Sequence, residues 1–437
     1  MKIRYLPLFF MIFSSGLQAI TLEEALVAAF KNSPEWLAKR ADKNKADESY
    51  KRSRMMFLPS VHASLSASRS KTQREQSIAK IDGMNTGTGM ELALTQSLFS
   101  GFSTINTINA SENSAQAAYH RLKFEEQALI VKIVDAFTSI WAGRQKVTAL
   151  KKKEENLKKT LASQESTLEA GVGTPSEVSL ASSNYQKAIY ERINAETELF
   201  SAESEFEKLT GLKADQELKL PNISMELPKN LDDLIVKAMA SNHSILHSKF
   251  AEQAAFDELN AVRGRLSPSC DLTLRAGRNL SKEELTSSTN HYEAAVRVTV
   301  PIFDNSSSSG NTYSAIAIAN QEALKAKFSA EDSRLEIRKE CVVNWNKYVT
   351  VSAMIKASRS AVKSAEVSSA SNLEESALGM KSNTDVLVKE NQLLESRVDL
   401  ANSLKQKIVT SVKLLALAGN LGLNSFLEKQ YYLPTAR

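Results

Sequence analysis

The stretch Gly171-Val-Gly-Thr-Pro-Ser-Glu177-Val178 recurs in altered form 208 residues later, as Gly379-Met-Lys-Ser-Asn-Thr-Asp385-Val386. In both copies a glycine precedes an acidic residue by six positions and a valine by seven. Each of these glycines is followed forty residues later by another glycine, Gly211 or Gly419. The shared spacing indicates a tandem duplication, and a duplication determines the architecture that every other motif must fit.

The two copies align over most of the chain. Leu22-Glu-Glu-Ala-Leu26 matches Leu231-Asp-Asp-Leu-Ile235 near the start of each copy. We therefore predict a first repeat at 20–211 and a second at 231–419. Two segments without a strong pattern remain, a linker at 212–230 and a tail at 420–437. We expect both to be equatorial, that is, to wrap around the helical part midway along its length.

Charge and hydropathy restrict the class of protein. The net charge of +5 over 437 residues comes from interspersed lysines and glutamates, as a solvated helix face has them, whereas nucleic-acid binding would need a segregated basic patch. Residues 1–19 combine Lys2 and Arg4 with a short apolar run and small residues up to Ala19, which predicts a secretory signal peptide. No later run of eighteen apolar residues occurs, so an exported chain of this kind could enter a membrane only as a β-barrel.

Motifs for catalysis or cofactor binding are weak throughout. His243 and His247 have the spacing of two zinc ligands, but Ser244 stands where a zinc protease needs glutamate. Gly171-Val-Gly173 resembles half of a dinucleotide loop, yet a helix is predicted before it where a strand is required. We expect no enzyme activity, no cofactor and no metal.

Four segments of about ten residues alternate between apolar and polar side chains. They lie at 60–69 and 89–98 in the first repeat and at 270–277 and 291–301 in the second. A half-buried sheet of a soluble domain would alternate as well. The polar positions, however, include the charged residues Glu91, Arg275, Glu293 and Arg297, which favours transmembrane strands around a water-filled lumen. Polar loops are expected between the strands, at about 70–88 and 278–290.

A long helix is predicted after each strand pair. Between Thr104 and Leu168 there is no proline, and leucines recur there at coiled-coil spacing. A helix of that length measures roughly 100 Å. Glycine ends it at a hairpin tip at about 169–176, and the second repeat has its tip at about 379–384. A second helix then returns in each repeat.

Four strands cannot close a barrel, and an open sheet edge in lipid leaves backbone groups unsatisfied. Oligomerisation is therefore required if these strands lie in a membrane. Two copies would give eight strands, whose interior is filled by side chains, whereas three would give twelve and leave room for water. The charged strand face favours three copies.

These residues resemble the TolC-type outer membrane factors, the exit channels of efflux pumps and type I secretion systems. Besides the two tips, the resemblance rests on Leu58-Pro59-Ser60 before the first strand and on Gln96-Ser-Leu-Phe99 and Pro301-Ile-Phe303 after the strand pairs. It implies an α+β membrane protein: a trimeric twelve-stranded β-barrel, four strands per chain, continued by a long α-helical coiled-coil barrel in the periplasm. It also implies a homotrimer in outer membrane lipid, a periplasmic adaptor and an inner-membrane transporter of the RND, ABC or MFS type.

The resemblance also assigns residues at the tips. Lys381 falls where family members can hold a basic residue that ties the hairpins closed, with Ser176 or Glu177 as its partner. Asp385, either alone or joined by Glu390, would line the constriction, because Val388 stands where some relatives have a second aspartate. The remaining residues of the tips are expected to contact the adaptor: Gly171, Val172, Gly173, Gly379 and Met380.

The function implied is a passive outer membrane exit channel, gated when the adaptor and the transporter dock at the periplasmic tip. A periplasmic coiled-coil scaffold or tether without conduit activity remains the alternative, since long heptad helices alone would suit it.

Overall fold

The structure, a computed structural model, describes residues 20–76, 79–216, 218, 220, 226–282, 286–302 and 312–426. The predicted signal peptide at 1–19, Phe303, parts of the predicted linker and the end of the predicted tail lie outside the described residues. None of the described helices is both long and apolar enough to cross a membrane.

The elements occur twice in the same order, two helices, two strands and two helices. The first set is α1 (Leu22–Asn32), α2 (Pro34–Arg54), β1 (Ser60–Gln76), β2 (Ala79–Ser100), α3 (Ser103–Glu169) and α4 (Pro175–Thr210). The second set is α5 (Leu231–Ser241), α6 (His243–Gly264), β3 (Ser269–Lys282), β4 (Thr286–Thr299), α7 (Thr312–Ala377) and α8 (Asn383–Leu417). Each element of the first set therefore has its counterpart in the second.

The long helices follow the sequence pattern closely. α3 has 67 residues and α7 has 66, and α3 begins and ends one residue outside the predicted range. The single interior glycine of α3, Gly143, makes room for α4, because a Cβ atom there would lie 3.1 Å from Cδ1 of Leu199. A residue that weakens a helix is thus used to let two helices approach.

The four strands form one antiparallel sheet in the order β1-β2-β3-β4. The strands are longer than predicted: β1 and β2 pair from Ser60↔Thr95 to Gln76↔Ala79, through the segment expected to be a polar loop. The prediction was wrong because alternation shows only where one strand face is apolar. Backbone pairing continues where both faces are polar, since the ladder is made of N–H and C=O groups.

The register places the alternating residues on two separate faces. Val61 pairs with Leu94, which pairs with Leu274, so the apolar residues form continuous rows across the sheet. The side chains of this face are exposed, Leu65 to 85% and Tyr292 to 82%. A broad apolar face of this kind marks a surface that another apolar medium or molecule covers.

The described chain divides into two compact units. One comprises the described parts of Met1–Lys39, Lys123–Asn242 and Glu336–Arg437, and the other comprises Arg40–Leu122 and His243–Leu335 without their gaps. The first unit contains the hairpin tips, and the second contains the sheet.

A large apolar cluster forms the core of the first unit. It joins Leu26 of α1, Ile130 and Phe137 of α3, Phe206 of α4 and Val412 of α8. Described residues of the predicted linker and tail, Ala214, Leu218 and Leu421, are buried in the same cluster. Arg144 of α3 holds the linker by donating to the carbonyl groups of Ala214 and Gln216.

Candidate functional site

The first hairpin tip begins where glycine ends α3. Gly171 has a φ of +76°, the left-handed conformation that other residues rarely adopt. The N–H groups of Gly171 and Val172 donate to the carbonyl oxygens of Leu168 and Thr167 at 2.9 and 3.1 Å. These bonds satisfy the last carbonyl groups of α3. Pro175 then starts α4, where its missing N–H costs nothing.

The acidic residue of the first tip caps the returning helix. The Thr174 side chain accepts from the Glu177 N–H, and Glu177 Oε2 accepts from the Thr174 N–H at 2.9 Å and from its hydroxyl at 3.0 Å. This reciprocal arrangement is a capping box. Hydrogen bonds from the backbone and the side chain of Thr174 lower the pKa of the Glu177 carboxyl below its ordinary value.

The second tip repeats this geometry. Gly379 has a φ of +75°, and Ser382 and Asp385 form the capping box of α8. Asp385 Oδ2 accepts from the Ser382 hydroxyl at 2.8 Å and from its N–H at 3.2 Å. The Ser382 side chain, its backbone and the charge of Lys381 lower the pKa of the Asp385 carboxyl. The repeated glycine-to-acid spacing is therefore a helix end followed by a helix start.

Apolar side chains project from both tips. Val172 is 81% exposed and Met380 is 71% exposed. At Gly171 and Gly379 a Cβ atom would meet nothing within 4 Å, so the surface there is open. Each tip thus presents backbone and an apolar side chain, as a surface for a protein partner does. The predicted adaptor-contact residues lie together within these two tips.

Lys381 and Ser176 are exposed. Within the described part of this chain, Lys381 makes no ion pair within 4.0 Å, and its nearest electrostatic relation is to Asp385 of its own tip. The carboxylate of Glu177 is engaged in its own cap. The predicted tie between Lys381 and Ser176 or Glu177 is therefore not formed within a single chain.

Glu390 lies in a contact between α3 and α8. Its Oε2 accepts from Asn156 Nδ2 at 3.0 Å, and the same amide group donates to Asn391 Oδ1 at 3.1 Å. Asn156 is fully buried, and its Oδ1 has no hydrogen-bond partner among the residues that the structure describes. An orphaned buried carbonyl oxygen costs about 1–3 kcal/mol. Sequence reasoning missed Asn156, although a polar residue within a leucine-rich helical run was a visible signal.

Ion pairs continue this polar contact along α3. Lys153 Nζ lies 2.8 Å from Glu395 Oε1 on α8 and 3.1 Å from Glu191 Oε2 on α4. Burial lowers the pKa of the Lys153 ammonium, but the hydrogen bonds and charges of Glu395 and Glu191 outweigh burial and raise the pKa above its ordinary value. We refer to Lys153, Asn156, Glu390, Asn391 and Glu395 as the polar seam.

The histidines considered as zinc ligands have a third histidine beside them in the second unit. His120 Nδ1 lies 3.2 Å from His243 Nδ1, and His247 Nδ1 donates to the Ala117 carbonyl oxygen at 2.9 Å. Burial, and then the charge of His247, lower the pKa of His120. Across the described ranges, no cluster of three or more such side chains has a geometry that could hold a metal ion.

Repeated long helical hairpins, joined to a four-stranded sheet with one apolar and one charged face, define the fold of TolC-type outer membrane channels. The family model for outer membrane efflux proteins matches residues 25–212 and again 234–420. The chain therefore belongs to the outer membrane efflux protein family. The double match also coincides with the two sets of elements.

Individual proteins resemble the chain over nearly its whole length. The outer membrane efflux protein BepC of Brucella suis is 25% identical over 92% of this chain and 86% of its own. The outer membrane protein TolC of Vibrio cholerae is 22% identical over 97% of this chain and 96% of its own. The solved structure of the Campylobacter jejuni CmeC outer membrane channel covers 91% of this chain and 85% of its own, with 17% identity and a TM-score of 0.77.

Family membership locates the protein in the outer membrane, with its helical part in the periplasm. Members of the family are channels and not enzymes, and they act in efflux and secretion. They form trimers and work with adaptors and inner-membrane transporters.

Proposed function

We propose that this chain forms the passive exit channel of a tripartite efflux pump or a type I secretion system. One observation carries the proposal: the sheet has an apolar face, a charged face and two edge strands, β1 and β4. Three copies joined edge to edge would give a closed barrel of twelve strands, with the charged faces lining a lumen. Eight strands from two copies would leave no room for water.

The tips are proposed to close the periplasmic end of this channel. Because Glu177 is held by its cap and Lys381 is exposed and unpaired within the described part of its chain, we assign their interaction to neighbouring protomers. Lys381 of one chain would meet Ser176 or Glu177 of the next, and Asp385 would face the constriction. Glu390 is not assigned to this ring, because its side chain accepts a hydrogen bond from Asn156 of α3.

Opening is proposed to occur where α8 leaves α3 along the polar seam. Polar groups that part there are solvated again by water, so separation costs less than the exposure of an apolar core. Docking of an adaptor on Val172, Met380 and their neighbours would stabilise the parted state. The transporter that supplies energy is of the RND, ABC or MFS type.

Conductance of the purified protein in planar bilayers tests the gate. Lys381→Glu should raise single-channel conductance, because it replaces an attraction between protomers with a repulsion. Lys158→Glu makes the same charge change on an exposed position of α3 outside the tip and should leave conductance unchanged. An equal conductance for Lys381→Glu and the unaltered protein would contradict the proposed interaction of Lys381 with the neighbouring protomer.

Adaptor docking has its own test in membranes that contain the native adaptor. Val172→Glu combined with Met380→Glu should abolish co-purification of the adaptor while the trimer persists. Val236→Glu serves as control, because Val236 is equally an exposed apolar residue but lies on α5. Retention of the adaptor by the double variant would place docking elsewhere. A scaffold without conduit activity is disfavoured, since family members are channels.

A further inference from the structure

Ionisable side chains lie close together on the polar face of the sheet. The pairing register puts them on one face, in the band where the opposite face is apolar. They are His62 of β1, Glu91 of β2, Asp271 and Arg275 of β3, and His291, Glu293 and Arg297 of β4. Among the described strand residues of this band, the charged residue on the opposite face is Arg278, which lies near the outer limit of the band.

One cross-strand row is built around a histidine. Glu91, Gly277 and His291 occupy successive strands in one register row. The His291 ring crosses β3 to place Nε2 at 3.4 Å from Glu91 Oε2. Gly277 makes this crossing possible, because a Cβ atom there would lie 2.3 Å from His291 Cε1. The glycine and the histidine therefore form one unit that joins two strands which are not neighbours.

The adjacent row carries fixed charges. Arg275 Nη1 lies 4.0 Å from Glu293 Oε2. His62 belongs to the same row, because it pairs with Ala93, which pairs with Arg275. The row of Ser60, Thr95, Thr273 and Ala295 follows on this face, and beyond it Asp271 pairs with Arg297. Within the band, the three carboxylates and two guanidinium groups of this face give a charge of −1 per chain when both histidines are neutral. Protonation of both histidines changes the sign, to +1 per chain.

We propose that His62 and His291 make the ion preference of the barrel lumen depend on pH, shifting it from cations at weakly alkaline pH towards anions in acid. The inference rests on the proposed function, because it requires this face to line a water-filled lumen. Three chains multiply the change, from −3 to +3 around one aqueous section. Histidine is the side chain that ordinarily changes charge between pH 5 and 8, whereas aspartate and glutamate ordinarily ionise below pH 5.

The charges act over the lumen only where salt does not screen them. At an ionic strength of about 0.1 M the Debye length is about 10 Å, and it lengthens as the salt is diluted. The pH effect should therefore be largest in dilute KCl and weaken towards 1 M. A change caused by loss of the fold would not follow this salt dependence.

Reversal potentials across planar bilayers with a KCl gradient test the inference. For the unaltered trimer, the permeability ratio of K⁺ to Cl⁻ should be clearly lower at pH 5 than at pH 8, with Asp385 at the tip constriction acting on the ratio at both values of pH. The double variant His62→Gln/His291→Gln should give the same ratio at both values of pH. His247→Gln removes a histidine outside the sheet and should keep the full pH response.

A second variant covers the case in which the double variant does not assemble. His291→Arg adds a permanent charge at the same row and should lower the permeability ratio already at pH 8. A pH response that survives intact in the double variant, or a His291→Arg ratio equal to that of the unaltered protein at pH 8, overturns the inference and leaves the channel function standing. Absence of any conductance from the folded unaltered trimer overturns both.

Discussion

The contact region of α3 and α8 has two parts that differ in chemistry. In the middle, Ile130, Phe137 and Val412 belong to one apolar cluster with no exposed surface on any of the three side chains. Towards the tips, the same two helices meet through the polar seam, where Asn156 keeps an unsatisfied oxygen. The apolar middle therefore stabilises the contact, whereas the proposed opening separates α3 from α8 at the polar seam.

The largest effect is expected in the middle. Phe137→Ala should lower the free energy of unfolding by about 3–5 kcal/mol, because it leaves a cavity in a fully buried cluster. Chemical unfolding followed by circular dichroism measures it. Val236→Ala, which shortens an exposed side chain, should change it by less than about 0.5 kcal/mol. Similar losses for the two variants would show that the middle is not the main source of stability.

Two substitutions of Asn156 should have different effects on the stability of the polar seam. Asn156→Asp places a carboxylate beside Glu390 in a buried position and should destabilise the contact by about 3 kcal/mol or more, since a buried charge then lacks a partner. Asn156→Leu removes the orphaned oxygen together with the amide donor, and it should be nearly neutral, because the acceptors Glu390 and Asn391 are partly exposed and can bond to water. Channel conductance should rise in the first variant and not in the second. If both variants behave alike, the polarity of the seam has no role in opening.

Removal of a helix cap at either tip should have a smaller effect on stability. Thr174→Ala or Ser382→Ala removes a helix cap and should cost about 1 kcal/mol. Hydrogen exchange of the amides at 176–178 or 383–386 reports the loss locally. Thr160→Ala, which removes a hydroxyl within α3, is the matched control. Unchanged exchange in the cap variants would contradict the assignment of Glu177 and Asp385 as capping residues.

The caps should also depend on pH. Both carboxyl groups have a lowered pKa in the folded chain, so their contribution is present above the pKa of the unfolded chain and is lost as the pH falls through the folded value. The protection factors of the amides at both tips, which compare measured exchange with the intrinsic rate at the same pH, should therefore fall in acid, below about pH 4. Glu177→Gln should remove this fall at the first tip and leave it at the second. A fall in protection that persists at the first tip in Glu177→Gln would point to another titrating group.

The smallest effect is expected from the ion pairs of the seam. Lys153→Met should cost at most about 1 kcal/mol, because its partners Glu191 and Glu395 can return to water. The raised pKa of Lys153 keeps the ammonium charged, so the contribution is present at neutral pH and lost only as the pH rises through the folded value. Equal losses measured at pH 6 and pH 8 would agree with this, and a loss confined to pH 8 would not.

Much of the fold could be predicted because local chemistry determines it. Gly171 and Gly379 end helices through a backbone conformation that only glycine adopts readily, so the helix boundaries were visible in the sequence. Strand length was not visible, because pairing continues beyond the band in which Val61 and Leu65 alternate with polar residues.

The candidate site was harder to predict. Glu177 and Asp385 stand three positions after a threonine or serine, which is the pattern of a capping box, yet the acids were assigned to the gate alone. Glu390 was assigned to the constriction because a helical sequence does not show which face meets a neighbour. Asn156 stands out in the sequence as a polar residue within a leucine-rich run, but its partners on α8 could be recognised only from the packing of the two helices.

Reducible cross-links at two places on the same pair of helices test the central claim most directly, in a background with Cys270→Ser and Cys341→Ala. A bifunctional thiol reagent joins Asn156→Cys to Asn391→Cys at the seam, or Asp135→Cys to Lys405→Cys in the middle, where the native side chains form an ion pair at 3.6 Å. The reagent carries a cleavable disulfide spacer, because a direct disulfide requires Cα atoms within about 7 Å of each other. Single-channel conductance is then compared before and after reduction, in protein that also carries Lys381→Glu. We predict that the cross-linked seam keeps conductance low until the spacer is reduced, while the cross-link in the middle has no effect. High conductance with the seam cross-linked would contradict opening along the polar seam.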